Sequence, residues 1–301
     1  MRTRATVVLS VLAMVAFAAN SLLCRVALRE GHIDPASFGA LRIAAGAIVL
    51  ALLAWLRRGE RPPVRGDWRA AAMLFVYVAG FSFAYLTLAA GTGALILFGA
   101  VQLTMFGAGF RSGERFSSAG WIGLALALAG LVVLVLPGVA APSPFGAVLM
   151  ALAGVAWGGY SLRGRGVPDP IQASAANFVR ALPLALLLAA LSTFVFATHA
   201  HADARGIALA VVSGAITSGL GYVVWYAALR GLTALRAAVI QLSVPVLAAC
   251  GGALWLGEPF TARLALAVAA ILGGIALALR DRSPARAPSR PPAHPPAPPR
   301  A

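Results

Sequence analysis

The stretch Leu254-Trp255-Leu256-Gly257-Glu258-Pro259-Phe260 sets a glutamate and a proline at the end of an apolar run. A near copy, Phe110-Arg111-Ser112-Gly113-Glu114-Arg115-Phe116, stands about half a chain earlier. With 9 acidic residues in 301, a repeated Gly-Glu-x-Phe setting is informative, and the match extends well beyond it. Gly107 falls on Gly251, Leu128 on Leu272 and Gly130 on Gly274. With a small shift, Gly80 meets Gly221, Tyr85 meets Tyr226 and Thr92 meets Thr233. Near the start of each half, Val15 to Ser21 faces Val155 to Ser161, and Arg42 aligns with Arg180. The chain reads as two copies of one unit.

Composition says what kind of unit. Hydrophobic residues make up 60% of the chain and charged residues 11%, whereas a soluble domain keeps charged residues near a quarter of its composition. A helix crosses the hydrocarbon with about 20 apolar residues. Candidate spans are Thr6 to Cys24, Pro35 to Leu56, Asp67 to Ala90, Gly93 to Phe110, Ser117 to Leu136, Ser143 to Leu162, Gln172 to Phe196, Gly206 to Arg230, Thr233 to Leu256 and Thr261 to Leu279. The expected fold is therefore an all-α membrane protein of ten transmembrane helices. Residues 1–138 and 143–280 form its two five-helix repeats, and 281–301 a disordered Pro- and Arg-rich tail. An odd number of crossings per unit makes the second copy enter from the opposite side, the inverted arrangement used by secondary transporters.

All 24 basic residues are arginine, giving a net charge of +15. They fall in short loops between apolar blocks and leave no basic face for nucleic acid. Under the positive-inside rule they put both termini in the cytoplasm, with Arg25, Arg29, Arg205 and Arg263 on the outer side. The first segment imitates a secretory signal, with Ala16-Phe17-Ala18 as its cleavage site. Its removal would leave the helix of Trp157 without a mate, so it is read as the first span. Cys24 and Cys250 lie in apolar blocks and indicate neither a disulfide nor a metal site. No phosphate-binding loop or metal-ligand helix is evident, so no cofactor is expected. The expected setting is a bacterial inner membrane, with the lipid bilayer and a small-molecule substrate as partners and a homodimer left open.

The double repeat, Ala156-Trp157-Gly158, the run Gln241 to Ala249 and the closing Leu256-Gly257-Glu258-Pro259-Phe260 together resemble the EamA branch of the drug/metabolite transporter superfamily. The resemblance spans about Thr6 to Leu279. The first copy departs from it at Phe17, where the family usually carries tryptophan, and at Val101, which stands opposite Pro245. The resemblance implies export or exchange of small metabolites such as amino acids. Import or exchange of vitamin- or nucleotide-like solutes is the alternative, and a non-transporting scaffold the more distant one.

Within the spans, a substrate site would draw on polar and aromatic groups at mid-depth: Asn20, Tyr85, Gln102, Trp157, Tyr160, Tyr222, Trp225 and Gln241, with Thr104, Tyr226 and Ser243 beside them. The amides matter most because an amide in hydrocarbon requires a partner. Tyr226, close to Arg230, could equally anchor at the interface. Among the charged residues, Arg42 shares a side with Glu258 and Arg180 with Glu114. Two cross-repeat gate pairs are expected from this, or else helix-start placement of the acids and snorkelling of the arginines. Pro245 lies inside a span, where it removes a backbone donor. No acid or histidine sits at mid-depth to relay a proton. A serine hydrolase around Ser82 lacks a histidine base, since His32, His199 and His201 fall in outer loops and His294 in the tail. Cysteines placed at Glu114 and Glu258 should react with a membrane-impermeant maleimide from opposite faces; labelling of both from one face would refute the inversion.

Overall fold

A computed structural model of the protein describes residues 2–57, 66–88, 90–113, 117–135, 143–195, 200–255 and 262–280. Glu114, Glu258 and the tail lie outside the described residues. The described chain is helical: α1 (Arg2–Arg29), α2 (Pro35–Leu56), α3 (Trp68–Ala84), α4 (Ala90–Arg111) and α5 (Ser118–Val135) form the first half. In the second half, α6 (Pro144–Gly164) and α7 (Pro170–Val195) are followed by a composite eighth span. That span runs through α8 (Ala204–Val212), a π-helix (Ser213–Leu220) and α9 (Gly221–Leu229). The ninth is α10 (Ala234–Gln241) plus α11 (Ser243–Trp255), and the tenth is α12 (Ala262–Arg280).

The surface shows which solvent the bundle is built for. Phe194 is 85% exposed and Leu103 78%, and Ile48, Leu52, Phe145, Val148 and Leu266 also face outward, while Arg42, Asn20, Gln102 and Gln241 are buried. Apolar outside and polar inside is the pattern of helices surrounded by lipid.

Each half repeats the same local devices. Gly31 and Gly166 adopt positive φ, 68° and 77°, which ends α1 and α6 at a residue without a Cβ. Three residues on, Asp34 and Asp169 accept hydrogen bonds from the first amides of α2 and α7, with Pro35 and Pro170 at the first helical position. Asp67 and Asp203 likewise cap α3 and α8. The sequence comparison above missed this shared Gly-x-x-Asp-Pro pattern. The helices pack as a two-fold would require: α2 on α7, α5 on α12 and α4 on α10, while α3 lies on α6 as the eighth span lies on α1. Because α2 starts at the face of Asp203 and α7 at the face of Asp67, the halves are inverted.

Three spans depart from expectation. α3 stops at Ala84 rather than Ala90, and Tyr85 to Leu88 form a turn closed by Leu88 N–H donating to the Ala84 carbonyl (3.0 Å). The eighth span contains a π segment that no residue pattern announces. The ninth breaks at Leu242, because Pro245 has no N–H for the Gln241 carbonyl and its ring crowds that turn. Its mate α4, with Val101 in place of the proline, runs unbroken.

The α5–α12 contact rests on glycine. A Cβ on Gly123 would come within 2.6 Å of the Gly274 carbonyl and the Ala278 amide nitrogen. Gly123→Ala should therefore cost about 1–3 kcal/mol, read as a lower melting temperature in detergent. Gly99→Ala, with nothing within 4 Å of the new Cβ, should stay within about 0.5 kcal/mol of the parent. Equal effects would rule out backbone contact as the cause.

Candidate functional site

The centre of the bundle is organised by one cation. Arg42 lies two turns into α2 and is fully buried. It gets there because the π-helix presents Gly214 to α2, where a Cβ would collide with the Arg42 carbonyl. The guanidinium Nε donates to Ser218 Oγ (2.8 Å), and Nη2 donates to Tyr222 Oη (2.7 Å) and Tyr77 Oη (3.2 Å). Its central carbon lies 5.3 Å from the Tyr77 ring centroid and 5.6 Å from that of Phe81, within cation–π range. Nη1 is buried and makes no hydrogen bond. Ser218 and Tyr222 belong to the second half and Tyr77 to the first, so one side chain ties the halves together.

Around Tyr222 the rings are continuous. Its centroid is 4.8 Å from Trp157, 5.9 Å from Tyr160, and 5.7 Å from both Phe178 and Phe17. Phe17 reaches Trp225 at 5.9 Å, and Tyr77 meets Trp157 at 5.0 Å. Indole nitrogens find acceptors, as buried tryptophans must: Trp157 Nε1 donates to Gln241 Oε1 (2.6 Å) and Trp225 Nε1 to Ser161 Oγ (3.1 Å). The break after Gln241 sits beside this contact, and Gln241 Nε2 turns to Met105 Sδ (3.0 Å) and the Ala237 carbonyl (3.3 Å).

Of the expected site residues, Trp157, Tyr160, Tyr222, Trp225 and Gln241 thus converge, and Arg42 joins them through Tyr222. Others serve elsewhere. Asn20 Oδ1 accepts from Ser213 Oγ (2.6 Å) and Thr217 Oγ1 (3.2 Å), pinning α1 to the π-helix. Gln102 Nε2 donates to the Ala238 carbonyl (2.8 Å), joining α4 to α10. Tyr85 lies at the rim, its ring 4.7 Å from Phe81. Tyr226 is buried rather than an interfacial anchor, and its hydroxyl donates to the Tyr160 carbonyl (3.3 Å). Arg180 donates to the Ala176 carbonyl (3.2 Å) and lies over Trp68 at 5.8 Å. Both proposed gate pairs include a glutamate outside the described residues. Tyr77, Phe81 and Ser218 were missed because a hydroxyl or ring inside an apolar helix carries no signal until a charge is found beside it.

Both faces are closed by related contacts between the halves. On one face Asp203 Oδ2 pairs with His32 Nδ1 (2.6 Å), and His32 Nε2 meets Glu30 Oε2 (2.9 Å), which also binds Arg205 (2.9 Å). Backbone bonds reinforce this latch: Asp34 N–H donates to the His201 carbonyl (3.0 Å) and Asp203 N–H to that of His32 (2.9 Å). His201 also bonds the Gly31 carbonyl (3.0 Å). On the opposite face the repeat mate of Asp203, Asp67, pairs with Arg163 at the end of α6. Separate from the ring cluster, an apolar groove of about 560 Å³ opens sideways between α1, α10 and α12.

A closed, inverted double bundle with a charged aromatic centre and a latch on each face defines a polytopic membrane protein of the transporter class. Residues 4–136 and 144–280 each match the EamA-like transporter family. The chain belongs to that family. It is 56% identical over 282 residues to the uncharacterised protein PA1977 of Pseudomonas aeruginosa, covering 94% of this chain and 97% of that one. A crystal structure covering 90% of this chain and 98% of its own shares the fold, with a TM-score of 0.73 at 24% identity.

The two latches should differ in pH response. Hydrogen bonds that His32 donates to Asp203 and then to Glu30 raise its pKa above the usual 6.5. Its contribution is therefore full below 6.5 and is lost as pH rises through the raised folded value. The Gly206 amide and His32 hold Asp203 below 3.8, so its contribution is present above 3.8 and lost as pH falls through the lowered value. The melting-temperature difference between the parent and His32→Gln should disappear on the alkaline side, while that for Arg163→Gln should not change across neutral pH. A His32→Gln difference independent of pH would refute the latch.

Proposed function

We propose that the chain is a secondary transporter that exports or exchanges small metabolites such as amino acids by alternating access. The observation that carries this reading is the pair of symmetry-related contacts between the halves, Asp203 with His32 on one face and Asp67 with Arg163 on the other. Two equivalent closures on opposite sides of one central site are what a carrier needs if it is to open to one side at a time. The arginine bias supports an orientation with the His32 face outside and both termini in the cytoplasm of a bacterial inner membrane. The central rings favour a solute with a planar or ring-bearing part, which also keeps import or exchange of vitamin- or nucleotide-like solutes as the second reading.

Purified protein in liposomes, screened for flux of labelled amino acids and ring-bearing metabolites with and without a pH gradient, tests this. Flux of at least one class is expected. A cysteine pair at Ile33 and Ala202, opposite each other in a β-bridge, should stop that flux when oxidised and release it on reduction. Absence of flux for every class from folded protein, or full flux with the disulfide closed, would overturn the proposal.

A further inference from the structure

We infer that Arg42 is the anchor for a single carboxylate on the transported solute, and that the rings beside it receive an apolar or planar remainder. The inference deepens the transporter reading and rests on it. A guanidinium buried in a lipid-surrounded bundle is costly unless paired. Among the described residues no carboxylate pairs with Arg42. Glu30 and Asp203 meet His32, Asp34 and Asp169 cap α2 and α7, and Asp67 meets Arg163. What surrounds Arg42 instead is neutral: three hydroxyls and two ring faces. These hold the cation without cancelling its charge, and they leave Nη1 buried with no acceptor.

Such a group is a standing site for an anion. One charge held only by neutral groups suits a monoanion better than a doubly charged phosphate, and the N–H groups of Nη1, left without an acceptor, suit a carboxylate oxygen. Tyr222 directs the rest of the ligand. Its hydroxyl accepts from the guanidinium and its ring touches Trp157, Tyr160 and Phe178, so a solute held at Nη1 has an aromatic wall within reach. The repeat mate Arg180 lies elsewhere, over Trp68, and does not form a second such site.

The test follows tryptophan fluorescence of the full chain in detergent, titrated with phenylacetate, phenylalanine, phenylacetamide, phenylalaninamide and inorganic phosphate. The two carboxylates should give saturable changes, and their amides and phosphate should respond at least about tenfold more weakly. Arg42→Met, with folding checked by its melting transition, should lose the carboxylate response. If that variant does not fold, Tyr222→Phe takes its place: it frees the Nη2 donor and should tighten carboxylate binding severalfold. Equal response to acid and amide, no response to either acid, an unchanged response in folded Arg42→Met, or unchanged or weaker binding in Tyr222→Phe would each overturn the inference. Liposome flux of an uncharged solute together with a flat carboxylate titration would leave the transporter reading standing without it. Arg42-dependent carboxylate binding without any flux would do the reverse.

Discussion

A cation with no counter-charge among the described residues, enclosed by helices that are themselves enclosed by lipid, is the constraint on which the centre of this protein depends. Placing an arginine at the middle of a membrane helix costs about 3 kcal/mol on insertion scales. Neutral acceptors and ring faces can offset that cost only if they come from several directions at once. Here they come from α3, the π-helix and α9 around an arginine carried by α2, so the geometry of four helices is set by one side chain. The π segment is part of that solution. Its small residues Gly214 and Gly219 let α2 approach at backbone distance, and Ser218 and Tyr222 then stand one turn apart facing the guanidinium.

Symmetry and its breaches divide the work. The parts that both copies keep are those that place helices: positive-φ glycines, Asp-Pro starts, aspartate caps, and close glycine crossings such as Gly123 against Gly274. The parts that differ between copies carry chemistry. Pro245 opposite Val101 breaks one span beside Gln241 and leaves its mate straight. Arg42 reaches the ring cluster while Arg180 stays over Trp68. His32 faces the aspartate in one latch and Arg163 in the other, so only one latch contains a partner that titrates near neutrality.

Much of the fold was legible in the sequence because apolar block length and repeated glycines report directly on crossings and close contacts. The repeated Gly-Glu-x-Phe stretch located the duplication, and its glutamates lie outside the described residues. The aromatic half of the site was readable, since Trp157, Tyr160, Tyr222 and Trp225 are concentrated in two spans. Its polar half was not. Ser218 lies 176 positions from Arg42 and Tyr222 lies 180, and no local pattern encodes a contact between halves. The amides misled for the opposite reason: Asn20 and Gln102 do need partners in hydrocarbon, but they find them in neighbouring helices, as most buried amides do.

The relative strengths of these contacts constrain how the bundle can move. The ion pairs of the latches are partly exposed, and contacts of that kind are weak and yield easily to water. The α2–α7 and α5–α12 crossings are different, since Gly46 against Phe178 and Gly123 against Gly274 leave no room for even a methyl group. Sliding across them would raise backbone clashes, whereas rocking about them would not. These two crossings lie on the pseudo-two-fold and belong equally to both halves, so they act as a fixed spine. Under the proposed alternating access, motion would fall to the helices that flank these crossings. Tyr77, on α3, and Tyr222, on α9, are among those flanking residues. Under the proposed alternating access, opening either face would move one tyrosine relative to a guanidinium carried by α2, which would couple the hydrogen bonding of Arg42 to the state of the latches.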